Sequence, residues 1–134
     1  MNIALIAHSS RRELLVQFCT AYCGILSQHC LCASSETGFA IQSETGLDIE
    51  TIIADNEGAL EQIATRVAYN EIDLVLFFRD IMETGEIKSG DLILKLCDKN
   101  IIPVATNLAT AEVLIQGLAR GDLDWRDIVN PKGK

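Results

Sequence analysis

The residues of this chain that could do chemistry fall into five short polar stretches, each following an apolar run. His8, Ser9 and Arg12 come after the first run, and Ser34, Ser35, Glu36, Thr37 and Gly38 after the second. Ala54, Asp55, Asn56, Glu57 and Gly58 follow the third, Arg79 and Asp80 the fourth, and Thr106 and Asn107 the fifth. A histidine can move a proton near neutral pH. Hydroxyls, backbone amides and a cation can hold a phosphate where small residues let the chain approach. Carboxylates serve as bases, or as acceptors for ribose hydroxyls and amines. The third stretch sets two acids, Asp55 and Glu57, around one glycine and then runs into apolar Leu60, so its polarity points away from phosphate. Plainer readings stand beside these. His8 or Asp80 could tie off a neighbouring turn, Glu36 and Asp55 could be solvated turn acids, and Arg79 and Trp125 could belong to surface, packing or an interface.

The apolar runs that position these stretches alternate between strand and helix. Residues 2–7 and 74–78 are unbroken apolar runs, as expected of parallel strands covered on both faces. Residues 30–33, 49–53 and 101–105 complete five strands. Helices are predicted over 11–26, 39–44 (ending at Gly46), 59–69, 91–99 and 109–116 (ending near Gly117), from apolar spacing and stop signals. A loop over 81–90 contains Thr84 and Gly85, and the tail from 118 reads as polar. This order predicts a three-layer α/β/α sandwich on a five-stranded, mainly parallel sheet, with residues 1–134 as one domain. Its strand tips must then gather on one edge, where ligands of such sheets bind.

Composition narrows the function classes. A net charge of −8 argues against nucleic acid, whose phosphates are met by clustered Lys and Arg. At 49% hydrophobic, 134 residues can build a sizeable core, yet no run approaches a membrane span. The start lacks the basic region of a signal peptide, which points to the cytoplasm. Cys19, Cys23, Cys30, Cys32 and Cys97 lack the spacing of a zinc or redox pair. They read as buried reduced thiols, with Cys19 and Cys23 on one helix face. No metal or cofactor is expected.

Three segments carry a further signal: Ile3-Ala4-Leu5-Ile6-Ala7-His8, residues 72–80 from Ile72 to Asp80, and residues 103–111 from Pro103 to Ala111. With Gly121-Asp122-Leu123-Asp124-Trp125-Arg126, they resemble the methylglyoxal synthase family over essentially the whole chain. The resemblance implies a homohexamer that converts glycerone phosphate to methylglyoxal and phosphate without metal or cofactor. In that chemistry a carboxylate removes a proton beside the carbonyl and a histidine assists at the carbonyl. Phosphate leaves from a nest of hydroxyls, amides and a lysine.

The chain departs from the family pattern at its turns. Ser9 replaces an aspartate, and Arg12 stands in for the lysine. Glu36 puts a carboxylate where a phosphate oxygen would lie, and Ala54-Asp55 replaces a hydroxyl–glycine pair. Leu60 occupies the position of the base, and the proline and histidine of the fourth loop are missing from residues 80–87. These departures predict a non-catalytic binder of a nucleotide-like molecule or sugar phosphate, in one version a viral sponge for a signalling nucleotide. Its expected contacts are His8, Ser9, Arg12, Ser34, Ser35, Glu36, Thr37, Gly38, Ala54, Asp55, Asn56, Arg79, Asp80 and Asn107. The alternatives are an active methylglyoxal synthase and an inactive subunit assembled with an active one.

Overall fold

The structure of the protein, a computed structural model, describes residues 1–82 and 88–131, residue 88 by its backbone only. The elements run β1 (Asn2–Ala7), a 3-10 turn (Ser9–Arg11), α1 (Arg12–Ala21), α2 (Cys23–Leu26), β2 (Cys30–Ser34), α3 (Ser35–Thr45) and β3 (Ile49–Ile52). They continue through α4 (Asn56–Ala68), β4 (Leu74–Phe78), α5 (Lys88–Asn100), β5 (Val104–Ala105), α6 (Leu108–Arg120) and α7 (Arg126–Val129). The five strands form one sheet in the order β3-β2-β1-β4-β5, and every neighbouring pair is parallel. All carboxyl ends therefore lie on the same edge.

The central strands show why the sheet is covered twice. Ile3 and Leu5 of β1, with Leu74, Leu76 and Phe78 of β4, face a core completed by Leu15 and Phe18 of α1, Ile41 of α3 and Ile115 of α6. Ala4 and Ile6, with Val75 and Phe77, face the other core, formed with Leu60, Ile63 and Val67 of α4 and Ile93 and Cys97 of α5. Alternate side chains of a strand point to opposite faces, so two apolar faces need an apolar run without a polar break.

Several boundaries differ from expectation, each for a local reason. The helix expected over 11–26 breaks at Tyr22, whose backbone leaves helical angles at φ −110° and ψ 25°. The break lets the Tyr22 hydroxyl donate to Glu112 of α6, and Gly24 in the next turn resists it little. Cys19 and Cys23 thus sit on separate helices. Helices α3 and α4 begin earlier than predicted because Ser34 and Asp55 cap them, accepting from the amides of Thr37 and Gly58. Helix α6 runs past Gly117 to a left-handed stop at Gly121, φ 82°. The loop expected over 81–90 lies largely outside the described residues, Thr84 and Gly85 included.

The thiols are all free, but not all buried: Cys30 is exposed and Cys23 half-buried. Burial pushes the Cys19 and Cys97 thiols up to about 12 and Cys32 to about 11, so these three stay protonated. Among the described residues no helix is long and apolar enough to cross a membrane.

The tail read as polar holds one of the two most buried charges among the described residues. Arg126 is 1% exposed, and its Nη1 donates to the Ile101 carbonyl at 2.6 Å while Nη2 donates to Asn70 Oδ1 at 2.9 Å. Its Nε lies 3.6 Å from Asp73 Oδ1, and Asp73 accepts the backbone N–H of Asn2 at 2.8 Å. Ile101 and Asn70 both sit in the left-handed region, at φ 56° and 57°. That region is costly for a β-branched residue, which explains why β5 starts at Val104 rather than at 101. Arg126 thereby ties the start of β1, the approach to β4 and the end of α5 together at the amino edge. Replacing it by Met leaves Asp73 buried without its cation and should cost about 3–5 kcal/mol in urea unfolding. A loss below about 1 kcal/mol would show that the network contributes no more than an exposed pair.

Candidate functional site

At the carboxyl edge the tips of β1 and β2 and the start of α4 enclose a cleft of about 80 Å³. Its polar lining is His8, Ser9, Arg12, Ser34, Thr37 and Asn56, and its apolar lining includes Ile6, Leu60 and Ile63. Since one water needs roughly 10–15 Å³ on this scale, the space suits a three-carbon phosphate ester better than a nucleotide.

His8 is fixed from two sides. Its backbone N–H donates to the Phe78 carbonyl at 3.1 Å, which prolongs the β1–β4 ladder by one bond. Its ring stands edge-on to Phe77, with centroids 5.6 Å apart. The ring Nδ1 lies 2.9 Å from the backbone nitrogen of Asp80 and 3.2 Å from the Asp80 carbonyl oxygen. The amide can only donate and the contact to it is shorter, so Nδ1 accepts. Neutral His8 therefore carries its proton on Nε2, at the other side of the ring.

Asp80 positions that ring through its main chain, while its carboxylate serves its own loop. Oδ2 accepts from the Ser10 hydroxyl at 2.7 Å and Oδ1 from the Met82 amide at 2.9 Å. The Ser10 hydrogen bond first, and then the Met82 amide, hold its carboxyl below the usual range, so it is ionised at neutral pH. Asp80 therefore caps its own loop with its carboxylate and holds the His8 ring with its backbone amide.

Arg12 supplies the positive charge of the cleft. Its Nη2 lies 3.2 Å from Glu36 Oε2, and its Nε donates to Thr37 Oγ1 at 3.4 Å. Ser34 caps α3, whose first turn holds Glu36 and Thr37 beside the guanidinium.

Other expected contacts are engaged elsewhere. Ser35 Oγ donates to the Ile52 carbonyl at 3.3 Å. Gly38 is packed against β3: a Cβ there would meet Thr51 Cγ2 at 2.5 Å, so its small size serves helix–strand packing. Ala54 and Asp55 are exposed, and Asp55 Oδ1 is spent on the Gly58 amide at 2.6 Å. Arg79 pairs with Asp91 at 3.2 Å and lies over the Phe77 ring, outside the cleft lining. Asn107 caps α6 by accepting from the Thr110 amide at 3.1 Å.

Of the acids that could stand in for a base, Asp55 caps α4 and Glu61 is exposed. Glu57 accepts from the Ser89 hydroxyl at 2.6 Å and from its amide at 3.2 Å, binding α4 to α5. The sequence holds no signal for that pair, because its partners lie 32 residues apart. Among the described residues no carboxylate lines the cleft, and Leu60, 6% exposed, occupies its apolar wall. Nor, among those residues, do three His, Cys, Asp or Glu side chains converge as a metal-holding group.

A parallel α/β sandwich thus brings a histidine, a guanidinium and the capped start of α3 around one small cleft at the carboxyl edge of its sheet. No family model matches the chain. Over 134 residues it is 52% identical to the methylglyoxal synthase of Caldicellulosiruptor saccharolyticus, covering 98% of this chain and 94% of that one. It is 44% identical to the methylglyoxal synthase of Geobacillus thermodenitrificans, over 100% of this chain and 94% of the relative. The crystal structure of methylglyoxal synthase from Elizabethkingia anophelis NUHP1 superposes with a TM-score of 0.77 at 30% identity, over 85% of this chain and 76% of that one. The chain belongs to the methylglyoxal synthase family.

These relatives overturn the expectation of a non-catalytic, nucleotide-capturing protein: chains this similar over nearly full length are named for an enzyme. That expectation gave the turn acids too much weight. In the folded chain Asp55 caps a helix, and Glu36 pairs with Arg12 outside the cleft lining.

The hydrogen bond from the Asp80 amide is testable directly. A long-range ¹H–¹⁵N spectrum of neutral His8 should show the proton on Nε2 and a bare Nδ1. A proton on Nδ1 would contradict the geometry.

Proposed function

We propose that this chain is a methylglyoxal synthase, a carbon–oxygen lyase that converts glycerone phosphate to methylglyoxal and phosphate. The observation that carries the reading is near-full-length similarity to enzymes of that name, at 52% identity to one of them. The cleft supports it. His8 Nε2–H can polarise the substrate carbonyl, and Arg12, Thr37 and the capped start of α3 can receive the phosphate. The free thiols suit a reducing compartment, and we place the enzyme in the cytoplasm.

We further propose that the enzyme is slow. Proton removal beside the carbonyl needs an acceptor, and the family's base position holds Leu60. Without a positioned base the proton passes to solvent, which lowers the rate about 10²- to 10⁴-fold. The chain is also proposed to form the family's homohexamer. Exposed Phe39, Ile53 and Ile128, at 62%, 88% and 83%, suit contacts between copies.

Methylglyoxal formation from glycerone phosphate should be measurable but weak, and Leu60→Asp should raise kcat/KM by about 10²-fold or more. Absence of product from both proteins would overturn the lyase reading. A fast parent enzyme that Leu60→Asp does not improve would overturn the account of its slowness. Sedimentation should give six times the chain mass; a monomer at all concentrations would exclude the hexamer.

A further inference from the structure

We propose that Glu36, beside the cleft, sets its affinity for phosphate by competing with phosphate for Arg12. This rests on the phosphate-ester substrate proposed above and names the residue that tunes its binding. Arg12 is the one Lys or Arg among the described residues lining the cleft. Its Nη2 donates to Glu36 Oε2 at 3.2 Å, a single charge-assisted hydrogen bond of the kind a guanidinium also makes to phosphate. Glu36 lies in the first turn of α3, an eleven-residue helix whose positive end favours an acid there. The acid thus occupies, from the first turn of α3, the contact to the cation that a phosphate would seek here.

The two partners are unequally held. The Arg12 side chain is 25% exposed and braced by Thr37, whereas that of Glu36 is 67% exposed. A pair with one solvated partner is weak, so an incoming phosphate can turn Glu36 out into water. The carboxylate then remains nearby and repels the dianion. When phosphate leaves, Glu36 returns to Arg12. The residue therefore weakens the hold on every phosphate, product included, and speeds its release.

Inorganic phosphate is the probe, titrated calorimetrically into the parent protein, Glu36→Gln, Arg12→Gln and the double variant. Glu36→Gln should bind phosphate about three- to thirtyfold more tightly. That gain should vanish when Arg12→Gln is added. Unchanged or weaker binding by Glu36→Gln overturns the proposal, as does an equal gain without Arg12 or no binding by any of the four. Glu36→Thr, with a shorter neutral side chain, should repeat the Gln result, and a failure to do so counts against the proposal. Turnover is not part of this readout. A protein without lyase activity that shows the phosphate gain loses only the functional reading, and an active one without the gain loses only this inference.

Discussion

The parallel pairing of β1 with β4 is the constraint from which the site follows. Its register runs from Ile3 opposite Leu74 to Ala7 opposite Phe78, and one further bond joins His8 to the Phe78 carbonyl. That register delivers the Asp80 amide to the His8 ring and decides which nitrogen carries the proton. A slip of one residue would turn every β4 side chain to the other face and remove the amide from the ring. The geometry of the cleft is thus a consequence of pairing between two largely buried strands, where register is strongly specified.

The two edges of the sheet divide the labour. At the amino edge Arg126 satisfies the Ile101 carbonyl and the Asn70 side chain and faces Asp73, so it stabilises a strained and buried junction. At the carboxyl edge the polar groups are nearer solvent and point into a cleft. Helix caps secure that edge: Ser34, Asp55 and Asn107 each hold an amide of their own helix. These caps fix the starts of the helices around the cleft, whereas the Glu36 side chain beside it is 67% exposed.

Sheet and layers were legible in the sequence because unbroken apolar runs leave few alternatives to central parallel strands. The edge that gathers the polar turns followed from the topology, and His8, Ser9, Arg12, Ser34, Thr37 and Asn56 do line one cleft. The rest was hidden for physical reasons. Residues that cap helices are the same types that hold ligands, so Asp55 and Asn107 read as contacts although each is spent on a backbone amide. Glu57 with Ser89, and Arg126 with Asn70, are pairs between distant segments that no local pattern announces. Arginine in a polar tail reads as surface, and its burial depends on two left-handed residues that sequence alone does not mark. Leu60 is both core and cleft wall, so its meaning for catalysis came from its aligned position and not from its packing.

The central claim is that this cleft receives glycerone phosphate with its phosphate toward Arg12 and Thr37, its carbonyl toward His8, and no carboxylate at the reacting carbon. A crystal soaked with glycerone phosphate is the direct measurement. The account predicts phosphate density between Arg12 and the start of α3, with Glu36 turned outward. It also predicts a substrate oxygen within hydrogen-bond distance of His8 Nε2 and Leu60 against the carbon that loses its proton. Substrate bound elsewhere, or a carboxyl oxygen reaching that carbon in place of Leu60, would contradict it.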